Sequence, residues 1–183
     1  YMGIGACILG YADEYVNQKV IKAIKNCNMT TLNCKNEVKL SKLLCKLHNW
    51  GGMVRYTRSG GEACSVAVRI ARAYTKKDKV IICGYHGWHD WYIATNLENK
   101  DNLNNHLLKG LNPLGVPKKL EGTTIPFKYN NIEELKKILE NNNDIGCIIM
   151  EVYRSEEPKN NFLQNVRYLA DKYKCVLIFD EIT

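Results

Sequence analysis

This sequence is short of several features that would place a protein quickly. None of its eight cysteines pairs with another as Cys-x-x-Cys, so the commonest thiolate metal pattern is missing. Several stand inside apolar periodic stretches, where a thiol serves as a small hydrophobe, and they read as reduced. No Gly-Lys dipeptide occurs anywhere, which excludes the phosphate loop of Walker-type nucleotidases. No apolar run approaches bilayer-spanning length, so no membrane helix is expected, and no basic segment leads into an apolar one at the start; a targeting segment ahead of Tyr1 stays open. The lysines are scattered, at Lys19, Lys22, Lys25, Lys35, Lys39, Lys42 and Lys46 among others, with no aromatic residues interleaved as a base-stacking platform would need. The formal net charge of +7 therefore reads as solvated helix faces and not as a nucleic-acid surface. Cytoplasm is the compartment these absences leave.

What is present is ordinary globular material: 183 residues, 45% hydrophobic and 25% charged, enough for one domain with a core. The chain opens on Tyr1 and stops just after an apolar run at 176–179, which reads as a piece of a longer protein truncated at both ends. Residues 1–183 are expected to form a single partial domain, with residues 1–50 as its helical lead-in.

Periodicity organises the rest. Val16, Val20, Ile21 and Ile24 form a helical stripe over 13–27 behind an Asp13 cap, and Leu40, Leu43, Leu44 and Leu47 mark a helix over 36–48. Residues 53–57 read as a short strand, and 62–74 as a helix facing inward through Ala63, Val66, Ala67, Ile70, Ala71 and Tyr74. Strands are expected at 79–83, 145–152 and 175–179, helices around Ile132–Leu139 and over 162–173, and a loop-rich middle, dense in Asn, Gly and Pro, over 96–122. Alternating strands and helices argue for an α/β domain with a mostly parallel sheet flanked by helices.

In such sheets ligands collect at the carboxyl ends of the strands. Three unusual stretches fall there: Ser59-Gly60-Gly61, Tyr85-His86-Gly87 and Asp180-Glu181. A helix start bearing serine and glycines offers unpaired N–H groups, a partial positive charge and close backbone approach, which suits a phosphate and equally suits a plain tight turn. Asp180 closes a buried apolar strand, where an unpaired charge is costly and a cationic partner, or a capping role, is expected. The stretch "CGYHGWHDW" allows two readings: a metal site from Cys83, His86, His89 and Asp90, or a turn that lays Tyr85 against a planar ligand. A phosphate site, a ring-stacking aromatic and a carboxylate able to keep a ring nitrogen protonated together describe pyridoxal 5'-phosphate.

The segments "RSGGEACSVAVRIARAYTKKDKVIICGYHGWHD", "CIIMEVYRSEEP" and "CVLIFDEIT", in their order and spacing, resemble the class III aminotransferases, the group that contains glutamate-1-semialdehyde aminomutase. The resemblance implies part of the large domain of a type I pyridoxal-phosphate-dependent transferase, an α/β fold. It implies a homodimer acting on a small-molecule amino donor and a carbonyl acceptor, by transamination or by 2,1-amino transfer within one molecule. By position it places Ser59, Gly60 and Gly61 on the cofactor phosphate, Tyr85 and Ile182 on opposite ring faces, Asp180 on the ring nitrogen, Glu151 near the site and His86 in support of the cofactor loop. "TTLN", from Thr30 to Asn33, matches a substrate-side segment, whereas Arg55, Arg58 and Arg154 read as surface residues.

The chain departs from the family pattern at Gly61, where a hydroxyl residue is usual, at Val152, where proline follows the glutamate, and over "YRSEEP", which lacks the asparagine of aminomutase-like members. The Schiff-base lysine of the family lies beyond residue 183, so no catalytic residue is assigned within this chain, and the chain alone is expected to be inactive. Two rival expectations stand beside this one: a metal-dependent hydrolase using His86, His89 and Asp90, and a non-catalytic relative.

Overall fold

The computed structural model describes residues 3, 5–26, 31–106, 108–153 and 155–182; Cys27, Thr30 and Arg154, which enter the expectations above, lie outside them. Two compact units are formed, one running up to Tyr56 and the other Thr57–Ile182.

The first unit carries α1 (Glu14–Lys25) and α2 (Lys35–Leu47). Asp13 starts α1 as expected, its carboxylate accepting the Val16 N–H at 2.9 Å and satisfying one donor of the first turn. Glu37 does the same for α2 by accepting the Cys34 N–H. The expected strand over 53–57 is not formed: no ladder pairs it, and Met53 is 94% exposed. A five-residue alternation fits an unpaired extended connector as well as a strand. Tyr56 is tied instead to α2, donating to the Glu37 carbonyl at 3.2 Å and sharing a 2.9 Å hydrogen bond with the Ser41 hydroxyl.

The second unit is built on an all-parallel, four-stranded sheet in the order β2-β1-β3-β4. Its strands are β1 (Lys79–Cys83), β2 (Thr124–Pro126), β3 (Ile145–Glu151) and β4 (Val176–Asp180), and its longer helices are α3 (Gly60–Thr75), α6 (Ile132–Glu140) and α7 (Phe162–Lys172). The fold class expected from the sequence is the one observed. Between β1 and β2 lie two single-turn helices, α4 (Asp90–Ile93) and α5 (Thr95–Glu98), inside a stretch otherwise as irregular as its composition implies. β2 escaped the sequence reading because it is three residues long and ends on Pro126; an edge strand tolerates proline, since one side of its ladder needs no donor.

Both faces of the sheet are covered, which is why its inner strands are near-continuous apolar runs and not alternating ones. Val80, Ile82, Cys147 and Ile149 pack under Cys64, Val68 and Ala71 of α3 together with Trp91, Tyr92 and Ile93. Ile81, Ile148 and Met150 pack on the opposite face against Leu135 and Leu139 of α6 and Val166 and Leu169 of α7. The connection leaving β1 thus crosses the α3 face, while the one leaving β3 crosses the other. That divergence opens a crevice at the carboxyl ends of β1 and β3, the place where parallel α/β sheets hold ligands. Among the described residues no helix is long and apolar enough to cross a membrane.

Ile149 lies fully buried in an inner strand. Ile149→Ala is expected to lower the unfolding free energy by about 2–5 kcal/mol through lost burial and a residual cavity, read as a lower urea midpoint at an unchanged slope.

Candidate active site

The helix start at α3 is defined by Ser59, which stays extended at φ −142° and accepts the Glu62 N–H on its hydroxyl oxygen at 3.3 Å. Glu62 in turn accepts the N–H of Arg58, the residue before the cap, at 2.8 Å. This pairing begins the helix at Gly60, two residues before the expected 62, so both glycines stand in the first turn and not in a connecting bend. The Ser59 oxygen is used as an acceptor, which leaves its hydroxyl hydrogen available to donate.

The glycines are required by close approach. A Cβ on Gly60 would lie 2.7 Å from Ile182 Cδ1, and one on Gly87 would lie 2.8 Å from the Gly61 Cα, where Gly87 also has φ +98°. The backbone after β1 and the first turn of α3 are therefore in direct contact. Ile182 reaches the same turn from the end of β4. The His89 ring fills the room beside Gly61, with Cδ2 3.1 Å from where a Cβ would be, so the space of a hydroxyl side chain is occupied by an imidazole.

Asp180 is the centre of the cluster. Its Oδ2 accepts from His86 Nδ1 at 2.9 Å and from the Cys64 thiol at 3.3 Å, and its Oδ1 accepts the Ile182 N–H at 3.3 Å. An ionised carboxylate can only accept, so the tautomer of His86 that fits is the one protonated at Nδ1. The His86 side chain is fully buried and that of Asp180 is 8% exposed. Burial alone pushes the Asp180 carboxyl up, but the hydrogen bond and charge of His86, the Cys64 thiol and the Ile182 N–H outweigh it and hold the group below its ordinary 3.8. The same surroundings, burial first and then the Asp180 charge, push the Cys64 thiol up to about 12, so it stays protonated and donating. His86 Nε2 is buried and meets no hydrogen-bond partner among the described residues.

Tyr85 is half-buried, edge-on to Tyr92 at 5.8 Å. Tyr92 also meets His86 edge-on at 5.9 Å and donates to the Gly84 carbonyl at 2.9 Å. It is a buttress that the sequence reading passed over, as was Cys64, read only as a small hydrophobe. The signal for Cys64 was available: with Val68 and Ala71 it lies on the sheet-facing stripe of α3, at the end nearest the strand mouths. Glu151 stands in register with Asp180 on the neighbouring strand. Its side chain runs over Gly84, whose Cβ would sit 2.6 Å from Glu151 Oε2. There it lines a cavity of about 560 Å³ together with Cys83, His106, Tyr129 and Glu156. Asp180, His86 and Cys64 do not line that cavity, so its size is no guide to where the carboxylate chemistry lies.

The structure does not assemble the metal set His86, His89 and Asp90. His89 is stacked on Trp88 at 4.9 Å beside Gly61, and Asp90 opens α4. Among the described residues the one group with donor atoms close enough to share an ion is Cys64, His86 and Asp180, mutually within 4.8 Å. Arg55 and Arg58 are exposed.

At its strand mouths the parallel sheet brings together a helix start, the half-buried Tyr85 and a histidine-braced aspartate. The chain belongs to the class III aminotransferases, whose family model matches residues 1–183. It is 37% identical to a 3-aminobutyryl-CoA aminotransferase of Cloacimonas acidaminovorans, over 97% of this chain and 41% of that protein. It is 36% identical to a glutamate-1-semialdehyde 2,1-aminomutase of Wigglesworthia glossinidia brevipalpis, over 97% of this chain and 42% of that protein. The chain thus spans about two fifths of the length of the curated relatives it matches. Among solved structures the same fold recurs in an omega-transaminase from Sphaerobacter thermophilus, with TM-score 0.79 and 23% identity over 93% of this chain and 41% of the other. It recurs again in a transaminase with pyridoxal phosphate bound, with TM-score 0.80 and 24% identity over 93% of this chain and 40% of the other.

Gly87→Ala is expected to cost at least about 2 kcal/mol, because a strained φ and a backbone collision coincide. Gly115→Ala, at φ +90° with nothing within 4 Å of the new Cβ, should cost only about 1 kcal/mol. Equal losses in chemical denaturation would contradict the close packing of Gly61 on Gly87.

Proposed function

We propose that the full-length protein transfers an amino group between a small-molecule donor and a carbonyl acceptor with pyridoxal phosphate as its cofactor. The observation that carries this reading is Asp180: a carboxylate held ionised at the buried end of β4 by three donors, next to the residue, Ile182, that touches the start of α3. Cys64 lies four residues into that helix from Gly60, about 6 Å along its axis.

In this reading the first-turn N–H groups of Gly60 and Gly61, which have no intrahelical partner, and the Ser59 hydroxyl bind the phosphate. Tyr85 covers one face of the ring and Ile182 the other, excluding water from both. Asp180 holds the proton on the ring nitrogen, and His86 keeps the carboxylate aimed and charged. Glu151 borders the site through Gly84. When bound, the cofactor supplies an electron-withdrawing ring that accommodates a carbanion at the substrate α-carbon. In this reading the full-length protein supplies, beyond residue 183, the Schiff-base lysine that would move the α-proton. The same residues serve transfer between two molecules or between adjacent carbons of one, and relatives of both kinds match. A homodimer and a cytoplasmic location complete the reading.

Adding pyridoxal phosphate to the full-length protein should produce a bound chromophore in the visible range. Asp180→Asn should weaken its retention by roughly tenfold to a hundredfold, the worth of one charged hydrogen bond. No chromophore in the wild type, or retention unmoved by Asp180→Asn, would overturn the assignment.

A further inference from the structure

We propose that Cys64 is a positioning residue of this site, its thiol donating to Asp180 Oδ2 from the sheet-facing stripe of α3 and, with His86, fixing the carboxylate that meets the ring nitrogen. The inference rests on the pyridoxal phosphate reading for its purpose, and on the Cys64–Asp180 contact of 3.3 Å for its geometry.

An ionised carboxylate offers about four acceptor sites. His86 and Cys64 both fall on Oδ2, and the Ile182 N–H takes one position on Oδ1. Oδ2 is thereby saturated, and what remains to meet a ligand is the second lone pair of Oδ1. Without the thiol, Oδ2 would rest on His86 alone, with Oδ1 on the longer Ile182 contact of 3.3 Å. The thiol adds a second hold on Oδ2 from a different element, since Cys64 comes from α3 and His86 from the segment after β1.

A thiol suits the position for reasons that neither an alkyl group nor a hydroxyl reproduces together. It belongs to the same apolar cluster as Val68, Val80 and Ile149, where a hydroxyl would be poorly solvated, yet it retains a donor hydrogen. Burial and the neighbouring anions keep it protonated. The charged and titratable groups facing Asp180 are His86, Cys64 and the in-register Glu151 of β3. α7, which also packs on β4, covers the opposite face of the sheet through Val166 and Leu169. Glu151 acts on the thiol, adding to the burial and the Asp180 charge that keep Cys64 protonated.

The sign of the effect follows. The folded carboxyl titrates below 3.8 in part because Cys64 donates to it, so removing that donor raises its midpoint, and protonation on lowering pH arrives earlier. Two near-isosteric variants of the full-length protein separate donation from packing. Cys64→Val keeps the bulk and loses the hydrogen; Cys64→Ser keeps a hydrogen and loses bulk. If donation matters, Cys64→Val moves the Asp180 ¹³C carboxyl titration upward and weakens pyridoxal phosphate retention about threefold to tenfold, whereas Cys64→Ser stays close to the wild type on both readouts. If Val matches the wild type and Ser does not, the residue is packing alone and the proposal is overturned, with thermal melts confirming that both variants fold. A Cys64→Val carboxyl titration identical to the wild type overturns it whether or not cofactor binds. Absent cofactor binding in the wild type, alongside a shifted titration in Cys64→Val, would instead count against the functional reading and leave the thiol–carboxylate coupling standing.

Discussion

The candidate site depends on keeping a negative charge on a largely covered side chain at the end of a half-buried strand. β4 delivers Asp180 to a position where its side chain is 8% exposed, a place that disfavours an ion unless hydrogen bonds replace the lost water. Three elements supply those bonds: α3 through Cys64, the segment after β1 through His86, and the chain just beyond β4 through the Ile182 N–H. None of these donors is near Asp180 in sequence except the last. The sheet order, with β3 between β1 and β4 and α3 laid across them, is what brings the other two within reach.

The sequence made the fold legible wherever local signals and burial agree. Apolar runs at 79–83 and 145–151 belong to strands covered on both faces, and the stripes of α1, α2, α6 and α7 match helices of nearly the expected length. It misled where a pattern had no partner to complete it. Residues 53–57 alternate as a strand does, but a strand exists only by pairing, and here the side chain of Tyr56 is engaged by α2. β2 failed in the opposite sense, since three residues ending in proline give no periodicity to detect, yet parallel pairing with β1 creates it.

Which residues gather at the strand mouths was legible, whereas their contacts were not. That Ser59, the glycines, Tyr85 and Asp180 are candidates follows from what each type can do at a strand mouth or helix start. That the glycines serve backbone contact with Gly87 and contact with Ile182 is a fact of tertiary packing. His86 looked equally able to join His89 and Asp90; only the geometry turns it toward Asp180. Cys64 was legible only as a small hydrophobe and Tyr92 not at all; both meet the cluster because the core extends up to it.

The contact between Gly61 and Gly87 has a mechanical meaning. With no side chain between them, the start of α3 and the loop that carries Tyr85 and His86 pack backbone against backbone, two walls of one niche. A small anionic guest would find its grip already set. Little disorder would remain to be lost on docking, which is the usual origin of tight binding by a compact surface.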